Sequence, residues 1–91
     1  AGGLDAAAAS PALARLDGRD GPMLRETLET YLDLGGNVQR TAAALHLHRT
    51  SLYHRLGRIE ERAGVDLDAG AARLELHAAL KLARLEAVPP L

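Results

Sequence analysis

The run Gly36-Asn37-Val38-Gln39-Arg40-Thr41-Ala42-Ala43-Ala44-Leu45-His46-Leu47-His48-Arg49-Thr50-Ser51-Leu52-Tyr53-His54-Arg55-Leu56 constrains this chain more than any other stretch, because it reads as two short helices joined by a tight turn. Two helices that cross steeply a few residues apart can approach only where the first presents a small side chain, and Ala42 meets that demand. Leu45 then closes the first helix against Leu47 in the turn. The second helix places Leu52, Leu56, Ile59 and Ala63 at i, i+4, i+7 and i+11, the spacing of one buried stripe. With that stripe inward, Thr50, Tyr53, His54 and Gly57 face out, and Arg49 stands beside them in the first turn. An outward face of this kind is polar and slender enough to enter a DNA major groove.

A net charge of −1 argues against a nucleic-acid partner only until it is divided along the chain. From Asn37 to Arg62 there are five arginines and two glutamates, or +3, whereas the remainder holds six bases and ten acids, or −4. Affinity for phosphate follows the local charge, so the motif is basic where a duplex would lie, and the acidic flanks weaken nonspecific binding. Ninety-one residues with 47% hydrophobic content allow one small domain whose core is marginal unless a partner buries more surface. The absence of cysteine excludes a disulfide framework, a thiolate metal site and a thiol nucleophile. No apolar run approaches the roughly 20 residues that span a bilayer, and no leader-like segment precedes the domain, so a soluble, cytoplasmic protein without membrane contact is expected.

Along the chain, residues 1–20 read as a linker or cloning remnant, with one short ordered piece at Ser10-Pro11-Ala12-Leu13-Ala14-Arg15-Leu16, where Ser10 suits an N-cap and Pro11 the first helical position. The Ala1-Gly2-Gly3 start suits the C-terminal domain of a longer parent. The first firm helix begins near Asp20-Gly21-Pro22 and runs to Leu34, with Leu24, Leu28, Tyr31 and Leu32 on one side. Gly35-Gly36 ends it, and Asn37 caps the next. His48 caps the third, which reaches about Arg62 and stops at Gly64. Val65 and Leu67 tuck into the core from a short connection, and the last helix runs from about Ala71 to Glu86, ahead of Pro89-Pro90. The domain is therefore 21–87, with 88–91 as a tail. The fold class is all-α: a small helix-turn-helix bundle of four main helices, with a further short helix ahead of them.

The last helix carries two apolar stripes. Leu74, Ala78, Leu82 and Leu85 occupy one arc; Leu76, Ala79, Leu80 and Ala83 occupy another. One covers the domain's own core. The other calls for a partner, which a twofold-related copy of the same helix supplies most simply.

Three separated motifs then resemble one known family. They are Leu28-Glu29-Thr30-Tyr31-Leu32-Asp33-Leu34-Gly35-Gly36-Asn37-Val38, then Ala42-Ala43-Ala44-Leu45-His46-Leu47-His48-Arg49, then Leu52-Tyr53-His54-Arg55-Leu56-Gly57-Arg58-Ile59-Glu60-Glu61. In that order they resemble the C-terminal helix-turn-helix domain of PucR-type transcriptional regulators, shared with the sugar-diacid regulators. The likeness continues through Gly64-Val65-Asp66-Leu67 and Arg73-Leu74-Glu75-Leu76-His77-Ala78-Ala79-Leu80, roughly residues 20 to 85. The core is also similar to the Fis type, in which a Gly-Asn pair opens the second helix. The resemblance implies the DNA-binding domain of a longer bacterial regulator whose upstream part senses a metabolite. Thr50-Ser51 stands where the family usually has Asn-Thr, and Gly57 where it often has a basic residue, so the operator is expected to differ. His46 occupies the turn position that many helix-turn-helix proteins give to Gly, and His is common there in this family.

On the residues themselves, His48, Arg49, Thr50, Tyr53 and His54 are the candidates for reading bases, Arg49 by a bidentate approach to guanine. Asn37, Arg40, Thr41, Ser51, Arg55 and Arg58 flank that face and suit phosphates, which fix position without reading sequence. His46, His48 and His54 make a poor metal set, since no carboxylate shares their face until Glu61. Ser51 and His54 are neighbours on a helix without an orienting acid or oxyanion donors, so no enzyme and no cofactor is expected. The expected partners are a double-stranded DNA operator with an inverted repeat and, in the full-length protein, a second copy of the chain. The alternative is a dimerisation or protein-interaction module built on the same helices without DNA contact.

Overall fold

The computed structural model describes residues 10–87, which form five helices and no strands. These are α1 (Pro11–Ala14), α2 (Gly21–Asp33), α3 (Val38–Leu45), α4 (Arg49–Ala63) and α5 (Gly70–Ala87). Each boundary has a local cause. Ser10 Oγ accepts the Leu13 N–H at 3.2 Å and opens α1, with Pro11 next in line. Gly35 and Gly36 both take positive φ and end α2, while the Asn37 side chain accepts from Arg40 N at 2.9 Å and starts α3. His46 closes α3 in the left-handed region, at φ 56°, a conformation unusual for a residue with a Cβ. Gly64, at φ 70°, ends α4.

α2 is the central element and packs on α3, α4 and α5, while α1 lies against α4 and α5. The core gathers Leu24, Leu28, Tyr31 and Leu32 of α2, Ala42 of α3, the Leu52–Leu56–Ile59–Ala63 stripe of α4, Leu67 of the connection, and Leu76, Ala79 and Leu80 of α5. Leu45, Leu47 and Val65 pack partly buried at its margin. Leu13 and Leu16 are also fully enclosed, and Ala12 and Ser10 are buried beside them. The segment from Ser10 to Leu16 is thus part of the packed body, not a linker to it. Arg15 fastens it by donating from Nη1 to the Ala63 carbonyl at 3.1 Å, at the end of α4.

Polar contacts hold the helices at fixed angles. Glu29, buried on α2, accepts from Lys81 Nζ at 2.8 Å and from Arg84 Nε at 2.7 Å, both on α5. Asp33, one turn on, faces Lys81 at 3.0 Å and His77 at 2.7 Å. At the other end of α2, Asp20 accepts from both Arg58 and Arg62 of α4. Arg73 ties three pieces together: Nε donates to the Leu67 carbonyl at 2.5 Å, Nη2 to the Tyr31 hydroxyl at 3.2 Å, and the guanidinium lies against Gly36. A Cβ at Gly36 would stand 2.5 Å from Arg73 Nη2, the far end of a side chain that can shift, so it is the φ of 77° that calls for glycine here. The Gly35-Gly36 turn, with both residues at positive φ, leads directly into the Asn37 cap of α3.

Candidate nucleic-acid interface

α3 and α4 form the helix-turn-helix, and the turn between them is short because Leu47 N bonds back to the Ala42 carbonyl at 2.9 Å. His48 is the N-cap of α4. Its Nδ1 accepts from Thr50 N at 3.2 Å, which in the neutral ring leaves Nε2 as the donor. Every residue of the predicted inner stripe, Leu52, Leu56, Ile59 and Ala63, is buried. The opposite side is open: His48, Arg49, Thr50, Ser51, Tyr53 and His54 are all exposed. Thr50, Tyr53 and His54 share one shallow depression, and Tyr53 keeps 55% of its surface accessible. Among the described residues nothing bonds or pairs with the side chains of Arg40 or Arg49, so both cations face solvent uncommitted.

The flanking residues divide more sharply than the sequence suggests. Thr41 is fully buried and its hydroxyl donates to the Asn37 carbonyl at 2.6 Å, which removes it from any phosphate surface. The cause is helical spacing: with Val38 and Leu45, it lies on the inward side of α3. Arg55 is half-buried, with Nη1 donating to Thr27 Oγ1 of α2 at 3.2 Å. Arg58 remains exposed but is held from one edge by Asp20. Arg62 shares that carboxylate and also donates to the Asp17 carbonyl at 2.9 Å. The hydrogen bond from Arg62 holds Asp20 below the usual carboxylate range against the opposing effect of burial, and a backbone hydrogen bond and the charges of Arg62 and Arg58 add smaller contributions in the same direction. The side-chain oxygen of Asn37 is occupied in capping. Sequence reasoning missed Asp20 and Thr27 as partners of the recognition helix, and no local signal marks contacts between residues 38 and 28 positions apart.

The arrangement offers an exposed helix edge with an uncommitted arginine at its start and a second on the preceding helix. A sequence profile described as the PucR C-terminal helix-turn-helix domain matches residues 24–82, well over half of the chain. This chain belongs to the PucR family. The PucR domain is similar to the carbohydrate diacid regulator of Escherichia coli, with 41% identity over 77% of this chain and 18% of that protein. An uncharacterized protein of Thermomonospora curvata is 41% identical over 81% of this chain and 42% of its own length, and protein YxkF of Bacillus subtilis is 43% identical over 48% and 15%. This chain therefore spans less than half the length of these curated relatives. No solved structure gives a significant match. Membership makes the PucR domain a helix-turn-helix unit of a transcription regulator, a non-enzymatic family, and implies DNA binding. No described helix is long and apolar enough to cross a membrane.

Proposed function

We propose that this PucR domain reads an operator through the major groove with the first turns of α4, as part of a cytoplasmic bacterial regulator. His48, Arg49, Thr50, Tyr53 and His54 face the bases. Arg49 takes a guanine edge by its two-pronged geometry, and His48, capped through Nδ1, offers Nε2 to an acceptor such as guanine N7. Arg40, Ser51 and the N–H groups that open α3 beyond Asn37 hold phosphates on one flank. Arg55 and Arg58 hold them on the other, presented by Thr27 of α2 and by Asp20, its N-cap. Two copies on an inverted repeat would set their recognition helices about 34 Å apart. The observation that carries this reading is the contrast across α4: one face wholly buried, the other exposed and polar, with Arg49 uncommitted at its start.

The test is duplex binding titrated with salt, on random DNA and on the promoter of the parent gene. Arg49→Ala is expected to cost about 1–3 kcal/mol on the promoter and to relax its preference over random DNA. Arg40→Ala should weaken both duplexes alike and lower the salt slope by about 1. Absence of binding near physiological salt, with two copies enforced, would overturn the reading in favour of an interaction module. The exposed leucines of α5 are the observation that speaks for such a module. They lie on a different helix from the groove face and add a surface to it.

A further inference from the structure

α5 presents two apolar faces on nearly opposite sides. Leu76, Ala79 and Leu80 are buried in the core, whereas Leu74 and Leu85 are 72% and 70% exposed, the most open large hydrophobic side chains among the described residues. At about 100° per residue, Ala71, Leu74, Ala78 and Leu85 fall on one outward stripe, whereas Leu82 is half-buried and packs against the core. Its edges differ in charge. His77, Lys81 and Arg84 line one, and Glu75 and Glu86 line the other. The cations are steadied by Glu29 and Asp33, yet the Lys81 and Arg84 side chains keep 50% and 69% of their surface open, so they still present charge outward.

That asymmetry selects both an occupant and a direction. A twofold axis running along the helix would pack two copies parallel and bring each anionic edge against its partner's cationic one, with Lys81 facing the partner's Glu86. A twofold axis across the helix would pack them antiparallel, joining like edges and setting Glu75 beside the partner's Glu86. We infer that the outward stripe of α5 is a seam for a second copy of this chain, packed parallel about an axis along the helix. This rests on the paired-operator reading above and deepens it by naming the surface. Ala71 and Ala78 let the two backbones approach closely. Stable interfaces bury about 800 Å² per partner, more than a single stripe of a few side chains provides. The seam therefore closes when neighbouring half-sites or the rest of the parent chain raise the local concentration.

The chain has no cysteine, so single substitutions report the geometry directly. Leu74→Cys and Leu85→Cys sit on solvent-exposed positions, and their far-ultraviolet circular dichroism should match that of the parent. On mild oxidation at high protein concentration, each variant alone is expected to shift to twice its mass on a non-reducing gel, above an exposed control, Glu26→Cys. The two positions lie about 16 Å apart along a helix, so a mixture of the two variants should give no heterodimer in excess. Heterodimer without homodimer would mean an antiparallel seam, and no cross-link above the control would mean no seam; either overturns the inference. Binding to random duplex by the same variants separates the two claims. Retained binding without cross-links removes the seam alone, and cross-links without binding remove the DNA reading alone.

Discussion

Side chains in the groove region fall into two kinds, those whose donors are already engaged and those whose donors are free, and the difference decides what a substitution does. Thr41 is of the first kind. Thr41→Val keeps its volume and loses only the 2.6 Å bond to the Asn37 carbonyl, so it is expected to lower stability by about 1 kcal/mol and leave affinity for DNA at the parent value. Urea denaturation beside a duplex titration checks both halves, and weakened binding in a fully folded variant would return Thr41 to the interface. Gly57 lies on the outer side of α4, where a Cβ would meet nothing within 4 Å and φ needs no glycine. The fold therefore does not require it. Gly57→Ala should raise stability by about 1 kcal/mol, read as a higher denaturation midpoint at unchanged slope. Loss of affinity in that same variant would indicate that the duplex passes close to this turn.

At the scale of elements, α1 is where the outcome departs most from the sequence. The four longer helices announce themselves because their apolar residues repeat over two turns or more, so α2 to α5 are legible to within about a residue of their ends. A helix of four residues has no repeat to read, and only its Ser10-Pro11 start is visible. Leu13 and Leu16 carry no sign that they are enclosed. The exposed edge of α4 was legible for the same reason as its buried stripe, since one fixes the other. The polar character of Thr41 points to the surface, whereas its spacing from Val38 and Leu45 puts it on the buried side of α3. The ion pairs were beyond reach, as Glu29 meets Lys81 and Arg84 across 52 and 55 positions. If α1 is integral to the body, Leu13→Ala should cost about 2–5 kcal/mol, a large part of what holds a domain this small. Thermal unfolding checks it, and a loss below 1 kcal/mol would restore the linker reading.

Across the whole molecule, α2 is tied to α4 through its N-cap Asp20 and to α5 through Glu29 and Asp33, so three carboxylates on one helix and its cap bridge three helices. All three titrate below the usual carboxylate range. Hydrogen bonds cause it: from Arg84 and then Lys81 for Glu29, from His77 and then Lys81 for Asp33, and from Arg62 for Asp20. A carboxylate with a lower pKa in the fold than in the unfolded chain contributes fully above its unfolded value, near 4, and loses that contribution as pH falls through the folded value. The melting temperature should therefore change little between pH 7 and pH 5 on account of these groups, and fall as pH drops below about 4. Glu29→Gln removes the most buried of the three charges. Its melting temperature should lie below that of the parent at pH 7, and the gap should narrow on acidification because the parent loses the same charge by protonation. Added salt should matter less to this gap than to the contribution of the open Asp33 pair, since screening acts chiefly on exposed charges. Melting curves that remain parallel from pH 7 to pH 3 would show that Glu29 acts by its packing alone, and the angle between α2 and α5 would then owe nothing to the charges that bridge them.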